Sequence, residues 1–170
     1  MYETLLNKYG VRQLGYYVED IDATAREMAR LLGAGPFIDA GESTPEACTY
    51  RGKDSTLTTR VALGQFANIQ VELIQVTSEG ENVYSEMGRY GLHHVCIWTD
   101  DLEQTVKEFE EAGFELAMRL TSSGFEVAYF DCRDAFGHYI EVSAPQEDFY
   151  EGLAALAEEW DGENALMGIC

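Results

Sequence analysis

Two carboxylates, Glu72 and Glu141, stand in the middle of otherwise apolar runs, Val71-Glu72-Leu73-Ile74 and Ile140-Glu141-Val142. An isolated carboxylate in such surroundings is costly, so a metal or another cation must compensate it. Each run closes a unit of sequence, and the two units open alike. The first opens Gly10-Val11-Arg12-Gln13-Leu14-Gly15-Tyr16-Tyr17-Val18-Glu19-Asp20-Ile21, the second Gly91-Leu92-His93-His94-Val95-Cys96-Ile97-Trp98-Thr99-Asp100-Asp101-Leu102. Gly91 follows Gly10 by 81 positions, Asp101 follows Asp20 by the same interval, and so does Thr105 after Thr24. A duplicated unit that offers a polar side chain on its first strand and a carboxylate on its last can build a four-ligand metal site on the pseudo-twofold axis.

The elements that must position these residues follow from periodicity. Gln13 to Val18 reads as a strand. Asp20 offers an N-cap to a helix whose apolar residues, Ile21, Ala25, Met28 and Leu32, recur at helical spacing up to Gly33. Extended pieces follow at Phe37 to Ala40, Cys48 to Gly52, Ser55 to Leu63 and Asn68 to Gln75, separated by turn-like clusters. The second unit repeats the order: a strand from Leu92 to Trp98, a helix capped by Asp101, then strands at Phe114 to Leu120, Phe125 to Cys132 and Tyr139 to Ser143. Residues 77–90 read as a polar linker and residues 1–10 as a short lead-in helix. The expected organisation is one structural domain with a βαβββ module over 10–76, a second over 91–145 and a C-terminal helix over 147–160. The fold class is α+β, with eight strands in a curled mixed sheet around a metal-binding cavity.

Alternation along a strand sends every second residue to one face. Gln13, Gly15 and Tyr17 share a face, as do Gln70, Glu72 and Ile74; His94, Cys96 and Trp98; and Tyr139, Glu141 and Ser143. If those faces line the cavity, Tyr17, Trp98 and Tyr139 are its aromatic walls. Leu14, Tyr16, Val18, Val95 and Ile97 face the helices. His93 and His138 have the opposite parity, which assigns them structural or surface roles, and Cys96 reads as a small packed thiol.

Apolar residues make up 46% of the 170 positions, enough for a packed core. The net charge of −20, from 31 acidic and 11 basic residues, repels nucleic acid and anionic membrane. No apolar run is long enough to span a bilayer. The start of the chain lacks the pattern of a secretory signal, and Cys48, Cys96, Cys132 and Cys170 show no close pairing. The expectation is a cytoplasmic protein with reduced thiols and a small-molecule partner.

Two segments together carry a resemblance. Gly91-Leu92-His93-His94-Val95 with Asp100-Asp101-Leu102, and Asp131-Cys132-Arg133-Asp134-Ala135-Phe136-Gly137-His138-Tyr139-Ile140-Glu141, resemble the second-module opening and the closing strand of the vicinal oxygen chelate superfamily. This is the superfamily of glyoxalases, bleomycin-resistance proteins and ring-cleaving dioxygenases. The resemblance spans residues 10–145. It implies metal ligands at Gln13, Glu72, His94 and Glu141, a set similar to that of zinc-type glyoxalase I. His94 rather than His93 is the ligand, because it stands before Asp101 as Gln13 stands before Asp20. Ring-cleaving dioxygenases use two His and one carboxylate for iron, whereas only one His falls on these positions.

One imidazole and three oxygen donors hold a divalent ion and leave positions open for substrate; zinc is favoured, with Ni, Co, Mn, Mg and Fe(II) compatible. The ion polarises a carbonyl, and the proton on the neighbouring carbon becomes acidic through an enediolate. The implied enzyme is a metal-dependent isomerase or lyase with Glu141 as base and Glu72 as its partner. Glutathione contacts of the family are missing: Tyr17 stands where an Arg is expected and Val76 where an Asn is expected. An apolar or aromatic hydroxycarbonyl compound fits better. The alternatives are a metal-free binding protein of the resistance type, an epimerase of the methylmalonyl-CoA type, and a ring-cleaving dioxygenase. A homodimer is common in the family, and the modules can pair within one chain or across two.

Overall fold

The repeated Asp and Thr residues do the same work twice. In a computed structural model that describes residues 9–168, strand β1 (Val11–Tyr17) leads into helix α1 (Ile21–Leu32). Asp20 caps α1 by accepting from Ala23 N at 2.9 Å, and Thr24 Oγ1 donates to the Asp20 carbonyl at 2.8 Å. Strand β7 (Gly91–Trp98) leads into α3 (Leu102–Glu111) in the same way. There Asp101 accepts from Gln104 N at 2.9 Å and Thr105 Oγ1 donates to the Asp101 carbonyl at 2.9 Å.

Between these units lie β2 (Phe37–Ser43), β3 (Ala47–Tyr50), β4 (Lys53–Asp54), β5 (Thr59–Phe66), β6 (Ile69–Val76) and helix α2 (Val83–Met87). After α3 come β8 (Glu115–Ser122), β9 (Phe125–Asp131), the one-turn helix α4 (Arg133–Phe136), β10 (Tyr139–Ser143), α5 (Glu147–Glu159) and β11 (Leu166–Gly168). The lead-in helix expected over residues 1–10 falls almost wholly outside the described residues.

All strands join one curled, unclosed mixed sheet in the order β11-β2-β5-β6-β1-β7-β10-β9-β8-β3-β4. At its centre β1 and β7 pair antiparallel within the one chain, flanked by β6 and β10, which run parallel to β1 and β7 respectively. The sheet has eleven strands rather than the eight expected. Strand β3, in the extended piece expected at Cys48 to Gly52, forms a hairpin with the short β4 through turn residues Arg51 and Gly52, which take φ of 48° and 73°. Positive φ at both central positions matches the twist of paired strands. The hairpin crosses to the far half of the molecule, where β3 pairs with β8. Strand β11 lies parallel to β2.

The convex face of the sheet packs on α1 through Val18, Ile21, Ala25, Val71 and Leu73, and on α3 through Ile97, Val106, Phe109, Phe130 and Val142. These are the faces that alternation assigned to the helices. The concave face carries a third cluster, including Ile74, Val83, Tyr84, Tyr129 and Tyr139. The segment expected as a polar linker is therefore a structural plug. Asn82 caps α2 in a reciprocal arrangement with Ser85, and Val83 and Tyr84 are 0% and 3% exposed inside the curl.

Candidate metal centre

Glu72, Gly15 and His94 lie side by side across β6, β1 and β7, with Tyr139 of β10 next in the row. The neighbouring row contains Gln70, Gln13, Cys96 and Glu141. The absence of a side chain at Gly15 makes the centre possible. A Cβ there would stand 2.0 Å from His94 Cε1 and 2.1 Å from His94 Nε2, so the imidazole lies over the strand backbone where a larger residue would exclude it.

His94 is fully buried, and its Nε2 lies 3.3 Å from Glu72 Oε2 and 3.2 Å from Glu141 Oε2. One ligand atom from each of the three residues falls within 4.8 Å of the others. Despite the short separations, His94 Nε2 and Glu72 Oε2 make no hydrogen bond, and Gln13 Oε1 is also buried without a partner. Gln13 turns this oxygen free by donating its Nε2 to Gln70 Oε1 at 2.6 Å. Orphaned buried polar atoms are rare and costly. Two of them, on His94 and Glu72, meet beside Glu141, and the third, on Gln13, belongs to the same cavity lining as both carboxylates; these are the donor types of a divalent-cation site, so the residues present fit such an ion.

The charges agree with the geometry. Burial raises the Glu72 pKa and the charge of Glu141 raises it further, against the opposing pull of His94. Burial pulls the His94 pKa down, but Glu141 and Glu72 outweigh it and leave it raised. Each group is held toward the state that reduces the excess negative charge, which is the state a bound cation would replace.

His93 sits beside His94 in a place that alternation did not foresee. The register of β1 with β7 shifts between Gly15–His94 and Tyr16–Leu92, so His93 is the extra residue of a β-bulge. It is fully buried and stacks between Tyr84 and Tyr139, with ring centroids at 4.3 and 4.9 Å. Its Nε2 lies 3.2 Å from the Val83 carbonyl and its Nδ1 lies 3.1 Å from His94 Nδ1. A carbonyl only accepts, so His93 Nε2 carries the hydrogen. Burial and the neighbouring His94 hold the His93 pKa well below the usual histidine value, so the ring is neutral. Its Nδ1 then accepts from His94 Nδ1–H, which turns His94 Nε2, the nitrogen a cation would take, toward the two carboxylates.

A cavity of about 410 Å³ opens beside this centre, lined by Gln13, Glu72, Cys96, Trp98 and Glu141 among others. Tyr17 and Tyr139, expected as walls, do not line it. They lie past His94 in the end of the curl that α2 fills. Tyr17 packs on Tyr84 and Tyr90 at 5.6 and 4.7 Å, and Tyr139 donates its hydroxyl hydrogen to Glu86 at 2.9 Å. Tyr84, Phe125, Tyr129, Phe149 and Tyr150 supply aromatic lining instead. Phe149 and Tyr150 belong to α5, whose approach to the cavity no local pattern announces. Cys48, Cys96 and Cys132 are free and buried.

The comparisons place this architecture. Among solved structures, the hypothetical protein BH1468 from Bacillus halodurans C-125 aligns with a TM-score of 0.57 at 19% identity, covering 83% of this chain and 97% of that one. Methylmalonyl-CoA epimerase from Mycobacterium tuberculosis aligns at 0.58 with 18% identity, covering 89% and 97%. A methylmalonyl-CoA epimerase in complex with methylmalonyl-CoA and NH4+ aligns at 0.54 with 15% identity, covering 82% and 96%. At these identities the likeness is one of fold. A search of curated protein sequences finds no match. The family model described as Glyoxalase/Bleomycin resistance protein/Dioxygenase superfamily matches residues 12–130, and the chain belongs to that superfamily.

Proposed function

We propose that the chain is a metal-dependent lyase or isomerase that moves a proton at the carbon next to a substrate carbonyl. The observation that carries this reading is the cluster of His94, Glu72 and Glu141, with His94 Nε2 and Glu72 Oε2 orphaned, beside a cavity that Gln13, Glu72 and Glu141 line. Gln13, Glu72, His94 and Glu141 would hold the ion, zinc being favoured, and the ion when bound supplies Lewis acidity toward a carbonyl oxygen.

The remaining work falls to the chain. Glu141 Oε2 takes the proton from carbon, and Glu72, facing it across His94, returns one from the other side. Two carboxylates on either side of one imidazole suit this exchange, because one can take a proton while the other gives one from the opposite side. His93 positions His94 through the Nδ1 pair. The aromatic lining excludes water and accepts a flat apolar body, so the substrate class is an aromatic or apolar hydroxycarbonyl compound.

Proton exchange tests the reading without knowledge of the natural substrate. The zinc-loaded protein is incubated with 2-hydroxyacetophenone in deuterium oxide, and loss of the proton signal beside the carbonyl is followed by NMR. The wild type is expected to exceed the protein-free rate, and Glu141→Gln to lose about a hundredfold or more of that excess while keeping its fold. Full exchange by Glu141→Gln would remove Glu141 as the base.

A further inference from the structure

A second β-bulge in the central strand pair changes what the cavity can bind. Val11 pairs with Ile97 and Gln13 with Cys96, so Arg12 is an extra residue on β1. As a result Arg12 and its neighbour Gln13 both reach the cavity, where strict alternation would send them to opposite faces. The Arg12 guanidinium carbon lies 5.0 Å from the centre of the Trp98 ring. Its Nε is buried and has no acceptor.

Among the arginines of the described residues, Arg12 alone has a buried side-chain nitrogen left without a partner. With 31 acidic residues for 11 basic ones, carboxylates are abundant. Arg30, Arg51, Arg60, Arg119 and Arg133 each hold at least one, and Arg89 instead donates to the carbonyls of Leu92 and Gly137. Arg12 pairs with none among the described residues. It is also the only cation among the described residues lining the cavity, whose two anions, Glu72 and Glu141, belong to the centre already described. A partly buried guanidinium against an indole, in the lining of the cavity and with an N–H left without an acceptor, offers a fork to an oxyanion.

We propose that Arg12 binds a carboxylate of the substrate, which makes the substrate an aromatic or apolar carboxylic acid rather than a neutral hydroxycarbonyl compound. A single guanidinium matches a monoanion. A phosphate dianion would meet the two carboxylates of the centre with no second cation in the lining. The inference extends the proposed proton-transfer function by naming the group that orients the substrate at the end remote from its reacting carbon.

The probes are 2-hydroxyacetophenone and its ring-carboxylated 3- and 4-carboxy forms. They are titrated by calorimetry into zinc-loaded wild type, Arg12→Gln and Arg12→Lys. In the wild type at least one carboxylated probe should bind about ten- to a hundredfold tighter than the neutral one, the range of a charged hydrogen bond. Arg12→Gln should abolish that advantage, read as the ratio of charged to neutral affinity within the one variant. Arg12→Lys should keep part of it, because the charge remains and the fork is lost. Equal affinity for charged and neutral probes in the wild type, including no binding of either, overturns the proposal. So does an advantage that survives Arg12→Gln. Each titration is repeated on EDTA-stripped protein. A carboxylate advantage that depends on Arg12 there, with zinc changing nothing, supports the role of Arg12 and removes the metal-dependent reading of the cavity.

Discussion

At the level of single residues the centre depends on what is missing as much as on what is present. Gly15 gives His94 its place, and Gly15→Ala would force the imidazole out of a 2.0 Å contact. Overpacking of this kind costs about 1–3 kcal/mol. The variant is expected to unfold at lower urea and to lose zinc affinity; unchanged zinc binding would mean that His94 has freedom the packing does not suggest. His93→Leu removes the acceptor of His94 Nδ1–H while keeping an apolar side chain in the stack. Zinc affinity should fall about ten- to a hundredfold, the usual effect of losing a group that orients a ligating histidine, with the circular dichroism spectrum retained. Equal affinity would show that the Nδ1 pair at 3.1 Å does not orient the ligand. Glu72, His94 and Glu141 could be singled out from their apolar surroundings and their repeat spacing. The roles of His93 and Arg12 could not, because each is the extra residue of a bulge and alternation fails there by one position.

At the level of elements, one polar network joins segments distant in sequence. Arg51 of the β3–β4 turn pairs with Glu86 of α2 at 2.9 Å, with Glu115 of β8 at 2.9 Å and with Asp131 at the end of β9. Arg133 of α4 pairs with Glu86 at 3.0 Å and with Asp131 at 2.7 Å. The hydrogen bonds from Arg133 hold the Asp131 carboxyl far below its usual range; burial opposes them and Arg51 adds to them. A folded-state pKa below the unfolded value, about 3.9 for Asp, contributes stability that is present above that value and lost as pH falls toward the depressed one. Asp131→Asn should therefore lower the urea midpoint at neutral pH, and the gap from wild type should narrow as pH drops below the ordinary carboxylate range. A gap constant with pH would mean that the charge of Asp131 does not stabilise the fold. The β-α openings were readable because Asp20 and Asp101, with Thr24 and Thr105, repeat a local capping pattern. The α2 plug was not. Its segment is polar in composition, and only Val83 and Tyr84 of a five-residue helix are buried. The crossing of β3 to β8 and the return of β11 to β2 are nonlocal pairings, which short-range pattern does not encode.

Across the whole molecule, the curl forms within one chain because β1 and β7 pair at its centre. That pairing brings the candidate ligands of the two units together, with Gln13 and His94, 81 positions apart, on adjacent strands and Glu72 and Glu141 on the strands that flank them. One end of the curl is closed by Tyr84 and its aromatic neighbours, and the cavity beside the centre is bounded by α5 through Phe149 and Tyr150. No helix among the described residues is long and apolar enough to cross a membrane. The net charge of −20 surrounds a cavity whose lining holds a single cation among the described residues, so a bound divalent ion would be the largest positive charge near the substrate. Metal uptake therefore tests the central claim most directly. EDTA-stripped wild type and His94→Ala are equilibrated with zinc, freed of excess by gel filtration and analysed for metal per chain. The account predicts a single tightly held ion per chain in the wild type and its loss in His94→Ala. A wild type that retains no Zn, Ni, Co, Mn or Fe(II), or a His94→Ala protein that holds as much as the wild type, would contradict it.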